Sequence, residues 1–292
     1  MTRSHFLSQL LLTLLLSLSA VTVVGQPQPA AKEFEPQVGQ EGKDVIWVPT
    51  PQALVDKMLD MAKVTANDYV IDLGSGDGRT VITAAKRGAR ALGIEYNPDM
   101  VELSKRNAAK EGVTGKADFV KADIFESDFS QATVITMYLL PQINLKLRPK
   151  ILDLKPGTRI VSHAFTMEEW APDDKASVAD SNAYNRTAYL WIVPAKVEGA
   201  WQLPQGELVL KQSFQMVTGT LNSGGNTTPI TNGRLRADQI SFTAGNAEYT
   251  GRVNGNSIQG TVKGSTSGSW SATRAAAPVA APSAAPVAAP KY

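Results

Sequence analysis

The chain of 292 residues contains no cysteine, so it can form neither disulfide bonds nor a lipid anchor on a thiol. The absence of disulfides neither favours nor excludes export. A surplus of basic residues is also missing, because 29 Lys and Arg residues stand against 27 Asp and Glu residues, a net charge of +2. Proteins that bind DNA or RNA usually carry a basic stripe along the phosphates. A nucleic-acid partner is therefore not expected.

Long apolar runs are also scarce, and the only one lies at the N-terminus. Residues 1–25 have one Arg and one His, followed by a mostly apolar stretch over residues 10–24. This pattern is typical of a secretory signal, with a weak cleavage site at residues 23–25. The apolar part is close to the ~20 residues that span a bilayer, so an uncleaved anchor is the alternative. We expect export to the periplasm or the medium, or else membrane anchoring and association with the envelope through this segment.

Two common nucleotide-binding signatures are missing as well. The chain has neither a G-x-G-x-x-G turn at a strand end nor a G-x-x-x-x-G-K-[ST] phosphate loop. Residues 70–79 instead read V-I-D-L-G-S-G-D-G-R, an apolar strand with an acid at Asp72, followed by glycines at every second position. Glycine adopts the dihedrals of a tight turn and lets the backbone approach a ligand closely. The helix that follows presents free N–H groups, which suit a carboxylate or a phosphate.

This segment resembles motif I of class I S-adenosylmethionine-dependent methyltransferases. The resemblance implies an α/β domain with a Rossmann-like, seven-stranded sheet and S-adenosylmethionine as cofactor. It also implies that Asp72 and the glycine turn hold the methionine end of the cofactor, and no metal site is predicted. The turn residues assigned to the cofactor site are Gly74, Ser75, Gly76 and Gly78.

Two further acids follow predicted strands. A helix over residues 80–87, closed by Gly88, leads to a short strand over residues 91–95 that ends at Glu95. Asn97 and Pro98 then begin a second helix, as N-cap and first helical residue, and a third strand ends before Asp123. Open α/β sheets bind ligands at the carboxyl ends of their strands. The family resemblance implies that Glu95 binds the ribose hydroxyls and that Asp123 contacts the adenine amino group.

The residues ahead of the glycine turn narrow the resemblance to one group within this family. In Val48-Pro49-Thr50-Pro51, Thr50 is a natural N-cap and Pro51 a natural first residue of a helix that runs to about Ala62. This block, followed by D-L-G-S-G-D-G-R, looks like a group of class I protein-lysine N-methyltransferases. The group includes mitochondrial enzymes acting on the ATP synthase c-subunit and the adenine nucleotide translocase, with bacterial relatives. Thr50 is assigned to the cofactor site with the turn, and the likeness covers roughly residues 45–170.

Further absences bear on the methyl acceptor. The N/D-P-P-Y motif of amino-adenine and glutamine methyltransferases is replaced by M-Y-L-L-P at residues 137–141, and without cysteine a covalent attack on cytosine through a thiol is excluded. The resemblance therefore favours a protein lysine as acceptor, with Tyr138 as the candidate that orients the amine. His163 is within reach but is more often structural at such a position. Glu168 and Glu169 can attract a lysine, although an acidic pair in a loop is usually only solvated.

The C-terminal part of the chain changes in character. Residues 201–274 contain short alternating runs separated by turn signals at residues 222–225, 232–233, 244–246 and 254–256. This pattern predicts six or seven antiparallel strands in a small all-β barrel or sandwich domain.

The full predicted organisation has five parts: a signal or anchor (1–25), a linker (26–44), a methyltransferase domain (45–198), the β domain (201–274) and an Ala/Pro-rich disordered tail (275–292). Two functions remain open. One is an N-methyltransferase of protein lysine. The other is a non-catalytic exported envelope protein, in which the α/β domain binds a nucleoside-like ligand and the β domain mediates binding. The second would explain how an exported protein manages without the cytoplasmic supply of S-adenosylmethionine.

Overall fold

The computed structural model describes residues 33–179, 185–204, 206–264 and 267–275. The predicted signal or anchor, the first part of the predicted linker and the predicted tail from residue 276 onward lie outside these ranges. Among the described residues, no helix combines the length and the hydropathy needed to cross a membrane.

The first half of the chain forms an α/β domain. Its helices are α1 (Gln52–Met61), α2 (Arg79–Lys86), α3 (Pro98–Lys110) and α4 (Pro141–Leu152), and its strands are β1 (Tyr69–Leu73), β2 (Arg90–Glu95), β3 (Ala117–Lys121), β4 (Val134–Met137), β5 (Arg159–His163), β6 (Asp174–Ser177) and β7 (Thr187–Ile192). The sheet has the order β3-β2-β1-β4-β5-β7-β6, and only β7 runs antiparallel to its neighbours. The predicted seven-stranded Rossmann-like sheet is confirmed.

Alternation along the central strands gives the sheet a core on each face. Val70 and Val134 join the core beneath α1, α2 and α3, whereas their neighbours Ile71 and Ile135 join the core beneath α4. The second core also contains the buried indoles of Trp170 and Trp191, whose centroids are 6.3 Å apart. Both faces of the sheet are therefore covered by packed side chains. The edge at the carboxyl ends of the strands is where a sheet of this kind can bind a ligand.

The helix boundaries confirm two predicted caps and correct one. Gly88 follows α2 with a φ of +93°, and the Asn97 side chain accepts a hydrogen bond from the Asp99 N–H at the start of α3. The predicted N-cap at Thr50 is wrong, because Pro51 caps α1 and the helix starts at Gln52. The Thr50 hydroxyl is used elsewhere, in a 3.0 Å hydrogen bond with His163 Nδ1. Strand β6 has no clear signal in the sequence, since D-K-A-S is mostly exposed and lacks apolar alternation.

The second half of the chain forms a closed barrel of eight antiparallel strands. The strands are β8 (Gly199–Leu203), β9 (Gly206–Ser213), β10 (Met216–Ser223), β11 (Asn226–Arg236), β12 (Gln239–Ala244), β13 (Ala247–Asn254), β14 (Ser257–Lys263) and β15 (Gly268–Arg274). The barrel closes where β8 pairs with both β9 and β15. Closure removes the free strand edges that would otherwise pair with other chains.

The barrel differs from the sequence-based expectation in two places. It has eight strands rather than six or seven, because β8 carries a single large buried residue, Trp201, and so shows no alternation. Asn232-Gly233 has the sequence of a turn but lies inside β11. There Asn232 adopts a φ of +53°, and the pairing with β10 and β12 shifts, which is a β-bulge rather than a chain reversal.

The barrel packs directly against the α/β domain. The Phe214 ring stacks on Trp170 at 5.9 Å with an interplanar angle of 8°, and the Arg148 guanidinium lies 5.3 Å from its centroid. The buried Gln215 amide donates to the carbonyl of Ala171 at 2.7 Å. An apolar stack and a buried hydrogen bond thus join the two folds near β6, away from the open end of the sheet.

Candidate active site

A cavity of about 710 Å³ follows the carboxyl ends of five neighbouring strands. Its wall is formed, in the order of the sheet, by Asp123 after β3, Glu95 at the end of β2, the glycine turn after β1, Tyr138 after β4 and Phe165 after β5. The sequence predicts that acids at successive strand ends meet, and the sheet order brings them to one edge. The cavity therefore has an acidic side at β2 and β3 and an aromatic side at β4 and β5.

Asp72 lies at the end of β1, below the glycine turn, with 6% of its surface exposed. The Thr136 hydroxyl donates to Asp72 Oδ1 at 2.6 Å across the β1–β4 pair. Burial raises the pKa of Asp72 to about 7, and the nearby Glu95 carboxylate adds to this rise, while the hydrogen bond from Thr136 opposes it.

This raised pKa predicts a pH-dependent stability. The folded protein binds a proton at Asp72 more tightly than the unfolded chain does, so stability falls as the pH rises from about 4 to about 7. We expect Asp72→Asn to raise the free energy of unfolding by on the order of 2 kcal/mol at pH 8 and by much less at pH 5. Urea denaturation at both pH values measures this difference. An equal effect at both values would show that Asp72 does not titrate in this window.

The glycine turn is held from two sides. Glu95 accepts hydrogen bonds at 2.9 Å from the N–H groups of Gly76, through Oε2, and of Asn97, through Oε1. From the helix side, the Ser104 hydroxyl of α3 donates to the carbonyl of Gly76 at 2.9 Å. The Asn107 amide of α3 donates to the carbonyl of Asp77 at 3.0 Å. The turn is thus fixed before any ligand arrives, which lowers the entropic cost of binding.

The glycines of the turn serve different purposes. Gly74, Gly76 and Gly78 all have positive φ values, of +76°, +55° and +82°. Gly74 and Gly76 line the cavity, whereas Gly78 does not and instead caps α2. A Cβ at Gly78 would lie 2.8 Å from the Phe119 ring, so glycine is required there by packing within the protein. A side chain at Gly78 would thus meet Phe119 rather than the cavity, and the assignment of Gly78 to the cofactor site stays a prediction.

Thr50 and His163 form a buried pair beside the turn. His163 is 1% exposed, and its Nε2 lies 2.6 Å from the carbonyl oxygen of Asn185. Because a carbonyl only accepts, Nε2 carries the proton and Nδ1 accepts from the Thr50 hydroxyl. Burial lowers the pKa of His163, which keeps the ring neutral. Thr50 lines the cavity and His163 does not, which agrees with a structural role for the histidine.

The Tyr138 ring is fixed by its neighbours. Its centroid lies 3.7 Å from that of His163 and 6.1 Å from that of Phe165. The tyrosine is half-buried and lines the cavity, and its role in orienting the methyl acceptor stays a prediction. Glu169 is turned away, in a 2.7 Å ion pair with Arg148, and neither Glu168 nor Glu169 lines the cavity.

A short hairpin over residues 39–47 supplies a wall that the sequence does not predict. The sequence places residues 40–44 in a linker, but all of them line the cavity. The hairpin places Trp47 Nε1 2.7 Å from the point that a Cβ on Gly76 would occupy. It also places Lys43 Nζ 2.9 Å from Asp123 Oδ2. Trp47 directly precedes the V-P-T-P block, and this position is one signal in the sequence that could have found the hairpin.

The residues of the turn fit the methionine part of S-adenosylmethionine. Ser75 lines the cavity, but its hydroxyl is buried against β2, 2.5 Å from the point that a Cβ on Gly93 would occupy. Gly74 and Gly76 also line the cavity, and without side chains they let a ligand approach the backbone of the turn closely. The N-terminus of α2 is adjacent and favours a carboxylate.

Comparison with known proteins assigns the domain. Residues 72–174 match the family model of the ANTKMT methyltransferase domain. The chain is 47% identical over 152 residues to a protein-lysine N-methyltransferase of Saccharolobus islandicus (strain REY15A), in a match that covers 51% of this chain and 94% of that protein. The chain belongs to this methyltransferase family. The domain is therefore an enzyme, and S-adenosylmethionine is its methyl donor.

Other relatives of the methyltransferase differ in coverage. The lysine N-methyltransferase of the ATP synthase c-subunit from Homo sapiens is 36% identical over 128 residues, which are 44% of this chain and 54% of that protein. The chain thus spans about half the length of that relative. A crystal structure described as an RNA methyltransferase from Salinibacter ruber in complex with S-adenosyl-L-homocysteine is 47% identical and covers 51% of this chain and 96% of that one, with a TM-score of 0.49.

Proposed function

We propose that this methyltransferase transfers the methyl group of S-adenosylmethionine to the side-chain amine of a lysine in a protein substrate. The observation that carries the proposal is the match over almost the whole length of a protein-lysine N-methyltransferase at 47% identity. Bound S-adenosylmethionine supplies a methyl group that its positively charged sulfur has already activated. The residues of this chain therefore need only to align the amine, exclude water and keep the amine neutral.

The aromatic side of the cavity suits a neutral amine. Leu139, Leu140, Ile143 and Phe165 line it together with Tyr138. A free lysine has a pKa of about 10.4, and removal from water lowers this value. Apolar walls next to a cationic sulfur would lower it further, without a dedicated base. The Tyr138 hydroxyl is a polar group on this side that can hold the amine in line.

The mouth of the cavity supports a polypeptide rather than a nucleic acid as the partner. Ile46, Val48, Tyr96 and Leu140 are large, exposed and apolar, and all four line the cavity. Clustered exposed apolar side chains are typical of protein-binding surfaces. Phosphate backbones are instead bound by clustered Lys and Arg side chains.

The acceptor can be identified by transfer of a tritiated methyl group. We expect the purified full-length chain to label a protein in a lysate of its source cells, and acid hydrolysis to release the label as methyllysine. Label in arginine, or in nuclease-sensitive material, would refute the lysine proposal and leave methyltransfer intact. Failure to bind S-adenosylhomocysteine in titration calorimetry would instead refute the assignment of the enzyme.

A matched pair of variants separates catalysis from folding. Tyr138→Phe removes the hydroxyl that is proposed to hold the amine, and we expect it to lower kcat about 10-fold or more, with cofactor affinity unchanged. Tyr189→Phe removes a tyrosine hydroxyl on β7, outside the cavity, and should leave both quantities unchanged. An unaltered kcat in Tyr138→Phe would show that the hydroxyl does not hold the amine and that the ring of Tyr138 serves only in packing.

The location of the enzyme rests on the sequence alone. Export or anchoring through residues 1–25 stays a proposal. A reporter that is active only outside the cytoplasm, fused after residue 274, tests it. An inactive reporter would place the enzyme on the side where S-adenosylmethionine is made.

A further inference from the structure

The hairpin over residues 39–47, named the site hairpin, has a regular backbone held by hydrogen bonds. The Gly39 N–H donates to the carbonyl of Trp47, the Trp47 N–H to that of Gln40, and the Gly42 N–H to that of Val45, each at 2.9 Å. A Cβ on Gly42 would lie 2.4 Å from the Val45 carbonyl oxygen, so the tight turn needs glycine. The backbone of the hairpin is thereby fixed by its own hydrogen bonds.

The site hairpin contacts three elements around the acidic side of the cavity. Trp47 lies against Gly76 in the glycine turn. Gln40 Nε2 lies 3.8 Å from Met100 Sδ on α3. Lys43 reaches Asp123, which follows β3. The hairpin thus closes the part of the site that lies over β2 and β3, on the side opposite to the acceptor end.

Lys43 and Asp123 form a donor–acceptor pair in the cavity wall. Lys43 Nζ lies 2.9 Å from Asp123 Oδ2 and 3.1 Å from Asp44 Oδ2, and 5.3 Å from the centroid of the Tyr96 ring. The hydrogen bond to Asp123, followed by that to Asp44, raises the pKa of Lys43, so the ammonium stays protonated. Asp123 Oδ1 accepts from the Phe125 N–H at 2.9 Å, which fixes the carboxylate. An acceptor and a donor are thus presented side by side.

Adenine carries the complementary pair of groups. Its amino group donates hydrogen bonds, and its ring nitrogens accept them. A carboxylate alone recognises only the amino group, whereas a carboxylate beside an ammonium can recognise both. We propose that Lys43 is a specificity-determining residue of the cofactor site, which donates to an adenine ring nitrogen while Asp123 accepts from the adenine amino group. This inference concerns the cofactor alone and does not depend on a lysine being the methyl acceptor.

Calorimetric titration with S-adenosylhomocysteine and its deaza analogues tests the inference. In each analogue one adenine ring nitrogen is replaced by CH, which removes one acceptor and keeps the amino group. We expect one of these analogues to bind the wild-type protein about 10-fold more weakly than S-adenosylhomocysteine, since a hydrogen bond to a charged group is lost. Lys43→Met should bind S-adenosylhomocysteine about 10-fold more weakly and should no longer distinguish that analogue.

The remaining outcomes contradict the inference. Tighter binding by Lys43→Met would show that the lysine competes with the cofactor for Asp123. Weaker binding with the analogue discrimination intact would indicate a general charge effect, and unchanged binding would show no role. Lys105→Met is the control, because Lys105 also forms a surface ion pair, at 2.8 Å with Glu102, and does not line the cavity. Thermal unfolding of both variants verifies that the fold is retained.

Discussion

Gly78→Ala is expected to lower the free energy of unfolding by roughly 2–5 kcal/mol. The left-handed backbone accounts for about 1–2 kcal/mol of this and overpacking for about 1–3 kcal/mol. Gly78 has a φ of +82°, and a Cβ there would lie 2.8 Å from the Phe119 ring and 2.9 Å from the Ser104 Cβ. Both neighbours are buried between the sheet and α3, so neither can give way freely. Urea denaturation of the purified variant measures the loss.

Gly112→Ala is the matched control for this prediction. Gly112 also has a positive φ, of +68°, but a Cβ there would meet no atom within 4 Å. Its substitution should therefore lower the free energy of unfolding only by the cost of the left-handed backbone, about 1–2 kcal/mol. The difference between the two variants isolates the packing against Phe119. If Gly78→Ala were as stable as Gly112→Ala, the glycine at position 78 would be explained by backbone conformation alone.

Glu95→Ala is expected to weaken binding of S-adenosylhomocysteine by about 100-fold or more. Glu95 holds the turn through the N–H groups of Gly76 and Asn97, and the family resemblance assigns it the ribose hydroxyls. Two lost hydrogen bonds to a charged group, at about 1.5–3 kcal/mol each, correspond to a loss of at least this size. Titration calorimetry measures the affinity directly.

Glu169→Gln is the control for the loss of a carboxylate. Glu169 is exposed, paired with Arg148 and outside the cavity, so the substitution should leave the affinity within about 2-fold, as for most surface ion pairs. A Glu95→Ala variant that binds as tightly as Glu169→Gln would show that the cofactor is held elsewhere in the cavity. Circular dichroism of both variants controls for loss of fold.

Local sequence patterns are enough to predict much of the secondary structure of the α/β domain. Three features depend only on residues close together in the sequence. They are the apolar strand that contains Asp72, the end of α2 at Gly88 and the start of α3 at Asn97-Pro98. The hairpin of β13 and β14 is predictable for the same reason, since alternation and an Asn-Gly turn set its register, with Tyr249 opposite Val262. Such features follow from dihedral preferences and periodicity.

Other features depend on contacts between distant segments. Thr50 has the sequence of an N-cap, yet its hydroxyl pairs with His163, 113 positions away. Asn232-Gly233 has the sequence of a turn, yet β10 and β12 hold it inside a strand as a bulge. Local propensity is worth a few tenths of a kcal/mol to about one, so a buried hydrogen bond or a continuous ladder overrides it.

The sequence by itself predicted that a glycine turn and acids at successive strand ends share one edge of the sheet, because the carboxyl ends of parallel strands meet there. It also determined that a separate β domain follows. Only the tertiary structure decided that the barrel closes with eight strands and that Gly78 is a packing residue. The tertiary structure likewise placed a hairpin from the predicted linker over the acidic side of the cavity, with Lys43 on Asp123. These features depend on contacts between segments that are distant in the chain. Such contacts produce no periodic pattern in the sequence, so one sequence alone does not reveal them.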